Sequence, residues 1–124
     1  MDLLDIAPDE PDAGKNDIVE AGFKKMKNTR PAALMSAAVA ERISLGNFDD
    51  DYDRVTGVDW ILEAIVEELE PKRELVQRVD GIANVDAIIS SNTSGIPLHR
   101  IAEGCSQGFR RHFSARTSSI RRAI

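Results

Sequence analysis

Two strongly apolar runs set the pattern of this chain: Val58-Asp-Trp-Ile-Leu-Glu-Ala-Ile-Val66 and Asp86-Ala-Ile-Ile-Ser-Ser91. Runs this short and apolar read as strands buried on both faces. Between them, Pro71 to about Ile82 reads as a helix with proline near its first turn. Upstream, Leu3-Leu4-Asp5-Ile6 is the end of a short strand, followed by a loop from Ala7 to Gly14 punctuated by Pro and Gly. Asn16 or Asp17 can cap the next helix, whose Ile18, Val19, Gly22, Phe23 and Met26 fall near one face while Lys24, Lys25 and Lys27 enrich its last turn. Thr29-Arg30-Pro31 ends it, because the residue before a proline is biased out of the helical region. Ala32 to Ala40 is helix-prone, Arg42 to Gly46 alternates like a short edge strand, and Pro97 to about Glu103 makes a last short helix. Strands that alternate with helices, the later ones apolar on both faces, predict an α/β fold with a parallel sheet covered by helices.

Asp49-Asp50-Asp51-Tyr52-Asp53 has the carboxylate density of a metal loop but not its spacing. An EF-hand loop needs Gly at its sixth position and Glu at its twelfth, and counting from Asp49 those places hold Arg54 and Trp60. No metal site is expected; Asp49 or Asp50 is instead expected to cap a short helix that stops at Gly57.

The second apolar run ends abruptly in Ser90-Ser-Asn-Thr-Ser-Gly-Ile-Pro97. Small hydrogen-bonding side chains at the C-terminal end of a parallel strand stand where ligands bind in open α/β sheets. The plainer alternative is a strand-to-helix loop in which Ser94 caps a helix starting at Pro97.

Taken with the first run at its fixed distance, this junction resembles the 3-hydroxyacyl-CoA dehydrogenase family. That family's pattern is an apolar strand ending in Glu-Ala-Val-Val-Glu-Asn-Leu, a Lys-containing helix, and a strand ending in Ser-Asn-Thr-Ser. Glu63, Ala64, Ile65, Val66, Glu67, Leu69, Lys72, Ser91, Asn92, Thr93 and Ser94 stand in the matching places, with Glu68 replacing the usual Asn. The resemblance runs from about Asp2 to Phe113 and is closest to long multidomain members, which share Gly46-Asn47-Phe48. It implies a Rossmann-type doubly wound sheet, NAD as cofactor, and oxidation of (S)-3-hydroxyacyl-CoA to 3-oxoacyl-CoA in fatty acid β-oxidation. It assigns Asp5 to the adenosine ribose, Ile65, Val66, Glu67 and Lys72 to cofactor contacts, and Asn92 and Ser94 to the nicotinamide and the substrate oxygen, with Ser94 the catalytic candidate. Each has a plainer reading: Asp5 as a loop cap, Glu67 and Lys72 as an exposed pair, Asn92 as an Asx-turn residue.

Composition limits the alternatives without identifying the function. At 124 residues the chain is one small domain in length. One cysteine, Cys105, excludes an internal disulfide and fits a reducing compartment. The start lacks the basic and apolar segments of a signal peptide, and no apolar stretch reaches the roughly 20 residues that span a bilayer. A cytoplasmic protein without a membrane partner is expected. A net charge of −5 argues against nucleic acid.

In the implied fold the strand order is 3-2-1-4-5-6, and the central first strand carries the glycine fingerprint. No G-x-G-x-x-G occurs in this chain. By resemblance, Asp2 to Asp5 is already the second strand, and residues 1–113 are expected to form an incomplete domain. Each unpaired buried peptide group at the strand edges this leaves would cost about 1–3 kcal/mol, against roughly 5–15 kcal/mol for a whole domain. The isolated chain is therefore expected to be inactive. An alternative is a non-catalytic module that assembles, or forms oligomers, through exposed sheet edges.

After Phe113 the family continues with a segment like Leu-Gly-Thr-His-Phe-Phe-Asn-Pro-Pro-Arg-Tyr, which brings the catalytic histidine. Written in GC-rich codons and deprived of one base, that segment translates as Ser114 through Ala123 and permits Ile124. Residues 114–124 are thus expected to be a frameshifted tail, whose Arg116, Arg121 and Arg122 are accidents of codon composition. His112 matches the basic residues before that strand, and His99 reads as an exposed helix residue.

Overall fold

Strands alternate with helices through residues 1–30 and 36–115, which this computed structural model describes. They fall into two units, Met1–Arg54 and Val55–Ile124.

In the first unit, β1 (Asp2–Asp5) pairs in parallel with β2 (Ser44–Asn47), Asp2 opposite Ser44 and Asp5 opposite Asn47. Parallel neighbours need a crossover, and α1 (Asp17–Lys27) lies in that connection. Its first turn holds Asp17 and Glu20 and its last Lys24, Lys25 and Lys27, the arrangement that complements the helix dipole. Asn16 occupies the N-cap but does not cap through its side chain; its Oδ1 accepts from Asn47 Nδ2 at 2.8 Å. α2 (Ala37–Ala40) is four residues long. The rest of the helix expected from Ala32 lies outside the described residues up to position 35. Gly46 lets β1 and β2 meet, since a Cβ there would stand 2.6 Å from Asp51 Oδ2 and 2.8 Å from Leu4 Cδ2.

The short helix expected after the aspartate run, stopping at Gly57, is a 3-10 helix, Tyr52–Gly57. Buried Asn47 organises the turn before it. Its Oδ1 accepts from the Asp49 and Asp50 N–H groups at 3.0 and 2.9 Å, while its own N–H donates to Asp51 Oδ2 at 3.1 Å. Asp50 is turned outward to Lys15, 2.7 Å away.

In the second unit, β3 (Trp60–Glu63) and β4 (Ile88–Ser91) pair in parallel, with α3 (Leu69–Asp80) between them in sequence. β5 (Phe113–Ala115) adds in parallel to the far side of β4, following α4 (Leu98–Ile101) and α5 (Gln107–His112). The sheet orders are therefore β1-β2 and β3-β4-β5. α5 and β5 were not expected. The hydroxyl of Ser106 caps α5, accepting from the Phe109 N–H at 3.1 Å, and Asp80 holds Ser106 in turn.

The core of this unit contains Val76, Val79, Ala87, Ile89, Ile101, Ala102 and Phe109. Cys105 is free and buried, and burial pushes its thiol pKa up. The expectation of strands covered on both faces is corrected. Side chains alternate across a strand, and Trp60, Leu62 and Ile88 share a face on which they are 50, 51 and 56% exposed. The opposite face, with Glu63, Ile89 and Ser91, is buried. β3 is also shorter than the expected Val58–Val66: the Glu63 carboxylate takes the Ile65 N–H at 2.8 Å, turning the chain out of the ladder and leaving Val66 exposed.

Candidate functional site

β3 and β4 run in parallel and end together, Glu63 opposite Ser91. The ladder closes with the Asn92 N–H donating to the Glu63 carbonyl at 2.8 Å. Both C-terminal ends therefore release their loops, 64–68 and 92–97, at one edge of the sheet. Because side chains alternate, Glu63 and Ser91 point to the buried face, where an unpaired carboxylate would be costly.

Lys72, in the first turns of α3, supplies the counter-charge. Its Nζ lies 2.7 Å from Glu63 Oε1, and both side chains are essentially inaccessible, at 0 and 2% exposed. Ser91 Oγ donates to the other Glu63 oxygen. The remaining Lys72 contacts are the Ile65 carbonyl at 3.3 Å and Glu67 Oε2 at 3.5 Å. The ammonium thus donates to two oxygens, Glu63 Oε1 and the Ile65 carbonyl, and keeps a longer ion-pair contact with Glu67.

Glu67 faces the second loop. Its Oε1 accepts from Thr93 Oγ1 at 2.7 Å and from the backbone N–H groups of Ser94 and Gly95 at 3.0 and 3.1 Å. Thr93 Oγ1 also accepts from the Ile96 N–H. These donors, the Thr93 hydroxyl first, then Gly95 and Ser94, hold the Glu67 carboxyl down to about 2. An acid-stability consequence follows. The folded value lies below the ordinary 4.5, so the contribution of Glu67 is fully present above about 4.5 and is lost as pH falls through about 2. Glu67→Gln is expected to flatten the stability curve within that window and leave it parallel above. Urea titrations at several pH values check this, and an unaltered slope would contradict the assignment.

The sequence candidates are thus placed unevenly. Glu67, Lys72, Asn92 and Ser94 gather at one sheet edge, with Asn92 and Ser94 exposed. Ile65 takes part through its backbone, and Val66 is exposed beside it. Asp5 belongs to the other unit, at the end of β1, where its Oδ1 accepts from the Ile6 N–H at 2.8 Å. Two plainer readings are corrected. Lys72 is not an exposed partner of Glu67 but a buried one. Ser94 does not cap α4, because Pro97 occupies its N-cap position and no side chain bonds there.

Glu63, Ser91 and Thr93 belonged to the recognised motif without receiving a role. A charged residue at an inward strand position, followed by a lysine at the start of the next helix, was the available signal.

The arrangement offers a fixed carboxylate, a hydroxyl and an amide at the C-terminal end of parallel strands. Among the described residues no helix is long and apolar enough to cross a membrane. Residues 1–115 match the family model for the NAD binding domain of 3-hydroxyacyl-CoA dehydrogenase. A probable 3-hydroxyacyl-CoA dehydrogenase of Deinococcus radiodurans is 46% identical over 112 residues, covering 90% of this chain and 32% of that protein. One of Bacillus subtilis is 42% identical over 91 residues, covering 73% of this chain and 12% of its own length. The chain thus spans a third or less of these relatives. Among solved structures, a diketoreductase superposes with a TM-score of 0.67 at 22% identity, covering 94% of this chain and 40% of that one. The 3-hydroxybutyryl-CoA dehydrogenase of Escherichia coli does so with 0.59 at 20%, covering 92% and 23%. At such identities the likeness concerns the fold, which is that of a Rossmann-type dehydrogenase.

Proposed function

Because this chain belongs to the family of 3-hydroxyacyl-CoA dehydrogenase NAD-binding domains, we propose that it forms part of an enzyme that oxidises (S)-3-hydroxyacyl-CoA to 3-oxoacyl-CoA. NAD, the cofactor of the family's domain, would supply the hydride acceptor when bound, and a general base would take the hydroxyl proton. The observation that carries the assignment to this chain is the Glu67 clamp on residues 93–95, which fixes the loop between Asn92 and Ser94.

The residues present fit the nicotinamide end of the cofactor. Asn92 offers an amide and Ser94 a hydroxyl, both exposed at the sheet edge. Glu67 stays ionised down to about 2, and a carboxylate favours the cationic nicotinamide of NAD over a phosphate. In this reading Asn92 and Ser94 orient the carboxamide and the substrate oxygen, and Asp5 takes the adenosine ribose hydroxyls. Ile65 and Val66 line the approach, and Lys72 acts from behind Glu67. The acyl-CoA thioester is the substrate, and a cytoplasmic setting suits a soluble metabolic enzyme of this kind.

Amide shifts of the 15N-labelled chain test the cofactor half. Nicotinamide mononucleotide and NAD are expected to move the Asn92, Ser94 and Gly95 signals, and AMP is not; the reverse pattern would contradict the assignment.

The exposed Trp60, Leu62 and Ile88 face favours a second reading, an assembly module. That reading requires Trp60 emission to shift to the blue as protein concentration rises. Residues 116–124 of the proposed frameshifted tail lie outside the described residues. Coding sequence for Gly-Thr-His-Phe-Phe-Asn-Pro in the alternative frame just downstream of the Phe113 codon would support the frameshift, and its absence would refute it.

A further inference from the structure

Glu68 is where this chain adds a charge to the family pattern, which has Asn in that place. It stands at the N-cap of α3 with extended backbone, and its side chain makes no capping bond. Among the described residues its exposed carboxylate enters no ion pair and no hydrogen bond. Asparagine is among the best N-cap residues, because its short side chain reaches the free N–H groups of the first turn. Glutamate in its place forgoes that bond, and the acidic charge that a helix N-terminus favours is already supplied by Glu70. The fold of α3 therefore gives little reason for Glu68.

Its charge has another place to act. Loops 64–68 and 92–97 leave the sheet at one edge, and Glu67 and Glu68 are the only charged residues in either. The buried pair Glu63 and Lys72 cancels, its charges 2.7 Å apart. Neighbouring Cα atoms such as those of Glu67 and Glu68 are about 3.8 Å apart, well within the Debye length of about 8 Å at physiological salt. Glu67 takes the Ser94 N–H at 3.0 Å, so Glu68 adds to the negative potential already present at the exposed Asn92 and Ser94.

We infer that Glu68 is a specificity-determining residue, which makes this edge favour the cationic nicotinamide of oxidised NAD over the neutral ring of NADH. The two dinucleotides differ in charge only at that ring, so an added carboxylate acts on the difference between them and needs no direct contact. Such a bias suits the oxidative direction of the proposed reaction, because the reduced product is the form that leaves. The inference rests on the reading of residues 92–94 as the nicotinamide side.

The test is Glu68→Asn in the full chain, with Glu74→Gln, an exposed carboxylate further along α3, as control. Dissociation constants of NAD and NADH are measured by calorimetry at low and high salt. The ratio of the NADH to the NAD constant is expected to fall roughly threefold or more in Glu68→Asn, to fall less at high salt, and to hold in Glu74→Gln. An unchanged ratio in Glu68→Asn, or an equal fall in Glu74→Gln, overturns the inference. A second measurement needs no cofactor. The urea midpoint of Glu68→Asn is expected at or above that of the parent, since Asn can restore the cap. A lower midpoint would show that Glu68 serves the helix, and would overturn the inference as well. Failure of the parent to bind either dinucleotide would sink the nicotinamide reading and this role with it, whereas binding of both with an unaltered ratio would sink the role of Glu68 alone.

Discussion

Lys72→Met alone is expected to lower sharply the urea midpoint of the Val55–Ile124 unit, followed by Trp60 fluorescence. The substitution preserves length and much of the volume, so packing is not what fails. It leaves Glu63 ionised, 2% exposed and without a counter-charge. Breaking a buried pair from one side costs about 3–5 kcal/mol, against roughly 5–15 kcal/mol for an ordinary domain. The deficit is largely desolvation of the orphaned charge, so adding Glu63→Gln should recover most of it. A single variant as stable as the parent would mean that Glu63 has reached water or taken up a proton.

Ile101→Ala is expected to have the next largest effect, a loss of about 2–5 kcal/mol. Ile101 is 0% exposed and sits at the end of α4, which packs against α3 and β5. A four-residue helix has little stability of its own, so α4 is held in place by side chains such as this one. Alanine would remove several methylenes from a dense interior that relaxes only partly into the space. Ile101→Val, which removes one methylene, should cost only about 0.5–1.5 kcal/mol. The midpoints in urea rank the two, and equal losses would place Ile101 at a site free to collapse. Because α4 follows the 92–97 loop, Ile101→Ala should also widen the Ser94 and Gly95 amide signals.

The parts of the fold most legible in the sequence were those with a strong local pattern. The run from Trp60 to Glu63, the helix after Pro71 and the run ending at Ser91 were recognisable because apolar content and proline placement agree there. Their edges were less legible. β3 stops at Glu63 because a side chain captures the Ile65 N–H, and hydropathy carries no trace of such a bond. The turn after Phe48 was less legible for a similar reason: Asp49 or Asp50 looked like the capping group, whereas the turn itself is held by buried Asn47, which accepts from both of their N–H groups. α5 was missed because its cap, Ser106, is held by Asp80 from far away in sequence.

The candidate site divides in the same way. Glu67, Lys72, Asn92 and Ser94 could be singled out by resemblance to a family motif, and these residues meet at one sheet edge. What resemblance could not give is direction. Lys72 looked like a surface lysine within reach of a cofactor, and its complete burial depends on α3 lying over the inward face of β3 and β4. The exposed Trp60, Leu62 and Ile88 face was equally illegible, since an apolar run does not state whether both of its faces are covered.

The most direct test of the account is the position of bound NAD, read from intermolecular NOEs between the cofactor and the 15N,13C-labelled chain. Nicotinamide ring protons are expected to contact the Asn92 and Ser94 side chains. Contacts from those residues to the adenine ring, or from the nicotinamide only to residues away from the 63–67 and 92–95 loops, would contradict it.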